Sequence, residues 1–80
     1  MYKVIGIQTG KKGVSEKGYD FQYLTIHCVD TRSFDSLEGQ AVASFRFNLA
    51  FCQDFVIPCI GDNIEVSYNY KGYPNRCFVV

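Results

Sequence analysis

From Ser44 to Leu49, inside the stretch QAVASFRFNLAF of residues 40–51, polar and apolar side chains alternate without a break. A repeat of two belongs to a pleated strand and not to a helix. It sets Phe45, Phe47, Leu49 and Phe51 on one face and Ser44, Arg46 and Asn48 on the other. A row of three phenylalanines and a leucine on one side demands a second apolar surface to cover it. The chain therefore has to fold as packed β-structure.

The rest of the sequence agrees. Residues 2–8 read as a first strand, with Val4 and Ile5 giving β propensity on both faces, and residues 9–18 read as a loop punctuated by Gly10, Gly13 and Gly18. Residues 19–30 form the second strand and residues 40–51 the third, with a charged, turn-like stretch at 31–39 between them. Pro58 and Gly61 mark residues 52–62 as a connector with one short helical turn. A closing hairpin runs over residues 63–70, turns at Lys71-Gly72 and returns over 73–80, with Ile64, Val66, Tyr68 and Tyr70 on one face of its first arm.

Five short strands in 80 residues predict one all-β domain, residues 1–80, built as a small five-stranded OB-like barrel, because closure removes exposed strand edges. An SH3-like open barrel is the alternative. A chain this short buries roughly 60–65% of its unfolded surface, so its core must be rich. Seven Phe and six Tyr supply that area. No apolar run is long enough for a membrane helix and the N-terminal residues lack a signal-peptide pattern, so the expectation is a cytoplasmic protein with no membrane partner.

Cys28, Cys52, Cys59 and Cys77 contain no C-x-x-C pair. They are read as small buried hydrophobes, with no metal and no cofactor expected. The net charge is zero, which argues against a surface that binds polyanions everywhere. The charge is nevertheless uneven: Lys3, Lys11, Lys12 and Lys17 face only Glu16 in the first eighteen residues. Any anion-binding site is local, and the first hairpin is its place.

The second strand gives that site its rings. Its two faces are Gln22, Leu24, Ile26 and Cys28, and Phe21, Tyr23, Thr25, His27 and Val29. The first set is the more aliphatic and belongs to the core, so Phe21 and Tyr23 point outward. If the third strand is its neighbour, Arg46 joins them. Rings interleaved with cations suit single-stranded nucleic acid, since bases stack on aromatic faces while Lys and Arg neutralise phosphates. The stretch YNYKGYPNR, residues 68–76, repeats the mixture with Lys71 and Tyr73. In OB-type barrels the strand 2–3 face and the loops between strands 1–2 and 4–5 are the oligonucleotide surface. The candidate residues are Lys11, Lys12, Lys17, Arg46 and Lys71 for phosphate and Phe21, Tyr23 and Tyr73 for stacking. The same rings also suit barrel core or a dimer contact.

The ending IGDNIEVSYNYKGYPNRCFVV, with the opening MYKVIGI, resembles small OB-type proteins of phages and mobile elements in Gram-positive bacteria. The stretch GVSEKGYDFQYLTIHCVD is similar to the basic loop and aromatic strand of filamentous-phage single-stranded-DNA-binding (helix-destabilising) proteins. This resemblance implies a homodimeric barrel that binds single-stranded DNA cooperatively, without sequence preference or cofactor. The rival reading is a small β-barrel protein-interaction module whose exposed rings pair with itself or another protein.

The sequence offers few parts for catalysis. His27 is its only histidine, and Cys28 beside it points to the opposite face of a strand. Gly13 and Gly18 have phosphate-loop spacing, yet Tyr19 and Asp20 stand where that loop needs Lys and Ser or Thr. Asp30, Asp35, Glu38, Asp54 and Asp62 are scattered through turns. A non-enzyme is expected.

Overall fold

The computed structural model describes residues 1–32, 38–50, 52 and 55–80. It holds five strands: β1 (Tyr2–Val14), β2 (Asp20–Asp30), β3 (Ala41–Asn48), β4 (Asn63–Tyr68) and β5 (Pro74–Val79). They form one antiparallel sheet in the order β3-β2-β1-β4-β5, and no helix occurs among the described residues. Three consecutive strands lie side by side, and a fourth returns by a long connection to flank the first, pairing Ile64 with Tyr2 and Asn63 with Lys3. This is a Greek key, the connectivity of OB-type barrels. The sheet curls until β3 and β5 touch. No hydrogen-bonded ladder joins these two among the described residues, so the barrel-like sheet keeps an open seam.

Alternation places the core where the sequence puts it. Val4, Leu24, Ile26, Cys28, Phe45, Phe47 and Ile64 are buried together. Tyr2 meets Phe45 edge-on at 4.8 Å between centroids, and Phe55 covers Phe47 at 4.8 Å. Truncating the fully buried Phe47 to Ala would cost about 3–5 kcal/mol in lost transfer energy and cavity. Phe51, expected on the same face, lies outside the described residues, as do Asp35 and Asp54. The cysteines divide: Cys28 is buried and Cys52 and Cys77 pack against the core, but Cys59 is exposed.

Three boundaries differ from expectation, each for a local reason. β1 does not end at Gln8. Thr9 to Val14 stay paired with β2, because Gly10 and Gly13 are clearances under β2 side chains and not loop punctuation. A Cβ on Gly10 would sit 3.0 Å from the Tyr23 Cβ, and one on Gly13 would sit 3.1 Å from the Phe21 ring. β3 stops at Asn48, whose Oδ1 accepts bonds from the Gln22 and Ala50 amides and so bends the chain. β4 ends at Tyr68, two residues early, because the Asn69 side chain takes the Lys71 and Tyr73 amides into a turn. Tyr70 consequently leaves the strand face and is 93% exposed. Among its described residues the connector has no helical turn; residues 55–59 are irregular.

Candidate nucleic-acid interface

The outer face of β2 and β3 carries the expected side chains in one register. Tyr23 pairs with Asn48, Thr25 with Arg46 and His27 with Ser44. Phe21 and Tyr23 are half-buried and point away from the core, with ring centroids 5.6 Å apart and planes tilted by 30°. The Arg46 guanidinium lies 4.0 Å from the Tyr23 centroid, a cation–π contact. Beneath the rings, Gly13 pairs with Phe21, while Gly10 and Lys11 together oppose Tyr23 in a β-bulge between Thr9 and Lys12. The missing Cβ atoms let the rings settle close to β1.

His27 continues the row. Its Nδ1 lies 2.7 Å from Ser44 Oγ and its Nε2 lies 3.1 Å from Gln8 Oε1. With the Gln8 carbonyl accepting, Nε2 carries the proton and Nδ1 accepts from the Ser44 hydroxyl. The ring is thereby fixed across three strands. Cys28 is buried on the other face, so the two do not meet.

Both hairpin turns have one design. In Ser15-Glu16-Lys17-Gly18-Tyr19 and Asn69-Tyr70-Lys71-Gly72-Tyr73, the first residue's N–H donates to the fifth residue's carbonyl, at 2.7 and 2.9 Å. The glycine N–H donates back to the first carbonyl, at 2.9 and 3.0 Å. The first side chain, Ser15 Oγ or Asn69 Oδ1, accepts from the fifth amide at 3.1 Å in each. Gly18 and Gly72 adopt φ of 82° and 85°, where a side chain would be strained. Each turn displays a lysine and then an exposed tyrosine. Tyr19 is a candidate that strand-face reasoning passes over, and the repeated Lys-Gly-Tyr is the signal that finds it.

Two adjoining concavities cross this face. One, of about 280 Å³, is lined by Gln8, Lys11, Phe21, Tyr23 and Arg46 among others. The other, of about 430 Å³, is walled by Tyr23, Arg46 and Asn48 on one side and Asn69, Tyr73 and Asn75 on the other. Tyr23 and Arg46 are common to both. Lys11, Phe21, Tyr23, Arg46 and Tyr73 therefore share one groove. The remaining cations stand apart. Lys12 pairs with Gln22 and so lies on the opposite face of the hairpin. Lys17 sits at the first turn, and Lys71 lies in the second turn with its Nζ 5.7 Å from the Tyr70 ring.

No group of three or more His, Cys, Asp or Glu suited to a metal occurs among the described residues, and no helix among them is long and apolar enough to cross a membrane. The groove can offer ring faces, a guanidinium, an ammonium and amide donors to a ligand rich in oxygen acceptors. No protein-family model matches the chain, and neither the curated proteins nor the solved structures searched gave a match.

Proposed function

We propose that this chain is a small barrel that binds single-stranded nucleic acid, with DNA the favoured form, in a phage or mobile-element setting and without catalysis. The observation that carries the reading is the groove that Phe21, Tyr23 and Tyr73 line together with Lys11 and Arg46. Stacked bases gain about 1–3 kcal/mol each on such rings, and the cations meet the phosphates between them. Lys17 and Lys71, on the two projecting turns, extend the phosphate contact beyond the groove, while Lys12, on the hairpin's other face, lies outside it. Fluorescence titration with a thymidine oligomer at two salt concentrations tests this. Saturable binding is expected, weakening with salt at a slope of about −0.7 per phosphate neutralised. Absence of binding at low salt overturns the proposal.

Self-association is the second reading, and it is compatible with the first. Val42, paired with Val29 on the same outer face, is 74% exposed, and Ile5 shares a concavity with Val29. Lys3, Asp30 and Arg32 line the same concavity, and this end lies along the sheet from the groove, so a homodimer built on it leaves the rings free. Sedimentation of the protein with Val42→Asp tests it: a dimer reduced to monomer supports the reading, and an unchanged mass overturns it.

A further inference from the structure

We infer that the larger concavity is a seat for one nucleobase that selects bases carrying ring carbonyls, thymine or uracil above all, through donors alone. The inference rests on the nucleic-acid reading above and adds a base preference to it.

The amide orientations carry the argument. Asn48 Oδ1 accepts from the Gln22 amide at 3.0 Å and the Ala50 amide at 3.2 Å. Asn69 Oδ1 accepts from the Lys71 amide at 2.9 Å and the Tyr73 amide at 3.1 Å. A backbone N–H can only donate, so these bonds fix which end of each side chain is oxygen. Both lone pairs of each oxygen are engaged. What Asn48 and Asn69 retain for the concavity is their NH2 groups. Asn75 also lines the space, but its partner is the Ser67 hydroxyl at 3.2 Å, which can donate or accept, so only Asn48 and Asn69 have their amide ends fixed. Arg46 adds a guanidinium that has no acceptor.

A ligand matching this wall presents acceptors. Thymine and uracil present two carbonyl oxygens on either side of one N3–H, whereas adenine has no carbonyl and sets its ring-nitrogen acceptors beside an amino group that meets donors head-on. A phosphodiester is also an acceptor, so the shared chemistry needs a decision between base and backbone. The ring walls decide it: Tyr23 and Tyr73 flank the space and Pro74 lines it. Apolar ring faces are suited to a flat base and leave a phosphate poorly solvated. The β4–β5 turn that holds Tyr73 is the same turn that commits Asn69, so stacking and donor placement are built by one loop.

The test compares a thymidine homopolymer with the same oligomer carrying difluorotoluene in place of thymine, which keeps ring shape but lacks the carbonyls. The thymidine form is expected to bind about three- to tenfold tighter, the range of one or two net hydrogen bonds. Asn69→Asp keeps Oδ1 for its two amides and exchanges the donor for an acceptor, and it should bring that ratio to about one. Equal binding of both oligomers by the unaltered protein overturns the base seat and assigns the donors to phosphate. A ratio unchanged in both Asn69→Asp and Asn48→Asp also overturns it. Failure to bind either oligomer overturns the nucleic-acid reading itself, and the preference with it.

Discussion

The Arg46 guanidinium carbon lies 4.0 Å from the centroid of the Tyr23 ring, on the strand pair where Arg46 opposes Thr25. The contact joins the two halves of the groove, since both residues line both concavities. It also holds the cation at ring height, where a planar guanidinium can stack as well as pair with phosphate. In the proposed function Arg46→Ala should weaken oligomer binding about tenfold and make the salt slope shallower by about 0.7, the loss of one phosphate contact. Arg46→Lys keeps the charge but not the plane, so the slope should hold while affinity falls a few-fold. Titrations of both variants at several salt concentrations separate the two effects.

The glycines under the rings predict an asymmetry. A methyl on Gly10 meets the Tyr23 Cβ at 3.0 Å and the Tyr23 carbonyl at 3.3 Å, atoms that cannot step aside. A methyl on Gly13 meets Phe21 at the far end of its ring, which can swing. Gly10→Ala should therefore destabilise by about 1–3 kcal/mol, an overpacking cost, and Gly13→Ala by less. Urea unfolding gives the comparison. Gly13→Ala should show its effect in oligomer binding instead, because it displaces a stacking ring.

These glycines also show why the sequence was legible in one respect and not in another. The faces of β2 and β3 could be read from alternation because burial obeys a period of two whatever the register, and Leu24, Ile26, Phe45 and Phe47 lie where that period sets them. Gly10 and Gly13 look the same in sequence whether they break a strand or make room inside one. Only the partner strand, which brings Tyr23 and Phe21 over them, distinguishes the cases. Lys12 belongs with this ambiguity: the bulge at Gly10 and Lys11 resets the alternation and sends it to the face opposite Lys11. The union of Tyr73 with Tyr23 in one groove depends on the curl of the whole sheet, for which no local signal exists.

Asp30, at the end of β2, gives a pH dependence. Arg32 donates to its carboxylate from the side chain, at 2.7 Å for the shortest bond, and from its own backbone amide at 3.0 Å. The side-chain bonds first, then the backbone bond, lower the Asp30 pKa from 3.8 to about 2. The folded value lies below the unfolded one, so the ionised carboxylate favours the fold, and this contribution is complete above the unfolded pKa. It is lost as pH falls from about 4 to 2. Asp30→Asn should be less stable than the parent at neutral pH, and the gap should close over that window. Denaturant midpoints measured across it check the sign.

The thiols should react in two classes. Burial pushes the Cys28, Cys52 and Cys77 thiols up, away from the reactive thiolate, with Cys28 and Cys52 adding to the effect at Cys77. Cys59 is exposed. A chromogenic disulfide reagent should titrate one thiol quickly in the native protein and the rest only on unfolding. Cys59→Ser should remove the fast phase; a fast phase that survives it would place another thiol at the surface.

The paired turns permit an internal control for the groove. Gly18 and Gly72 occupy the same left-handed position in two turns of the same hydrogen-bonding plan, so Gly18→Ala and Gly72→Ala should each destabilise by about 1 kcal/mol. Their consequences for binding should differ. Gly72 precedes Tyr73, which lines the larger concavity, and it shares its turn with Asn69. Gly18 precedes Tyr19, which lines neither of the two concavities of the groove. Strain at Gly72 shifts a ring and a donor at once, so Gly72→Ala should weaken oligomer binding several-fold, whereas Gly18→Ala at matched stability should bind nearly as the parent does. Equal losses in the two variants would mean that the lysines at the turn tips, common to both loops, carry the contact, and that the groove between them does not.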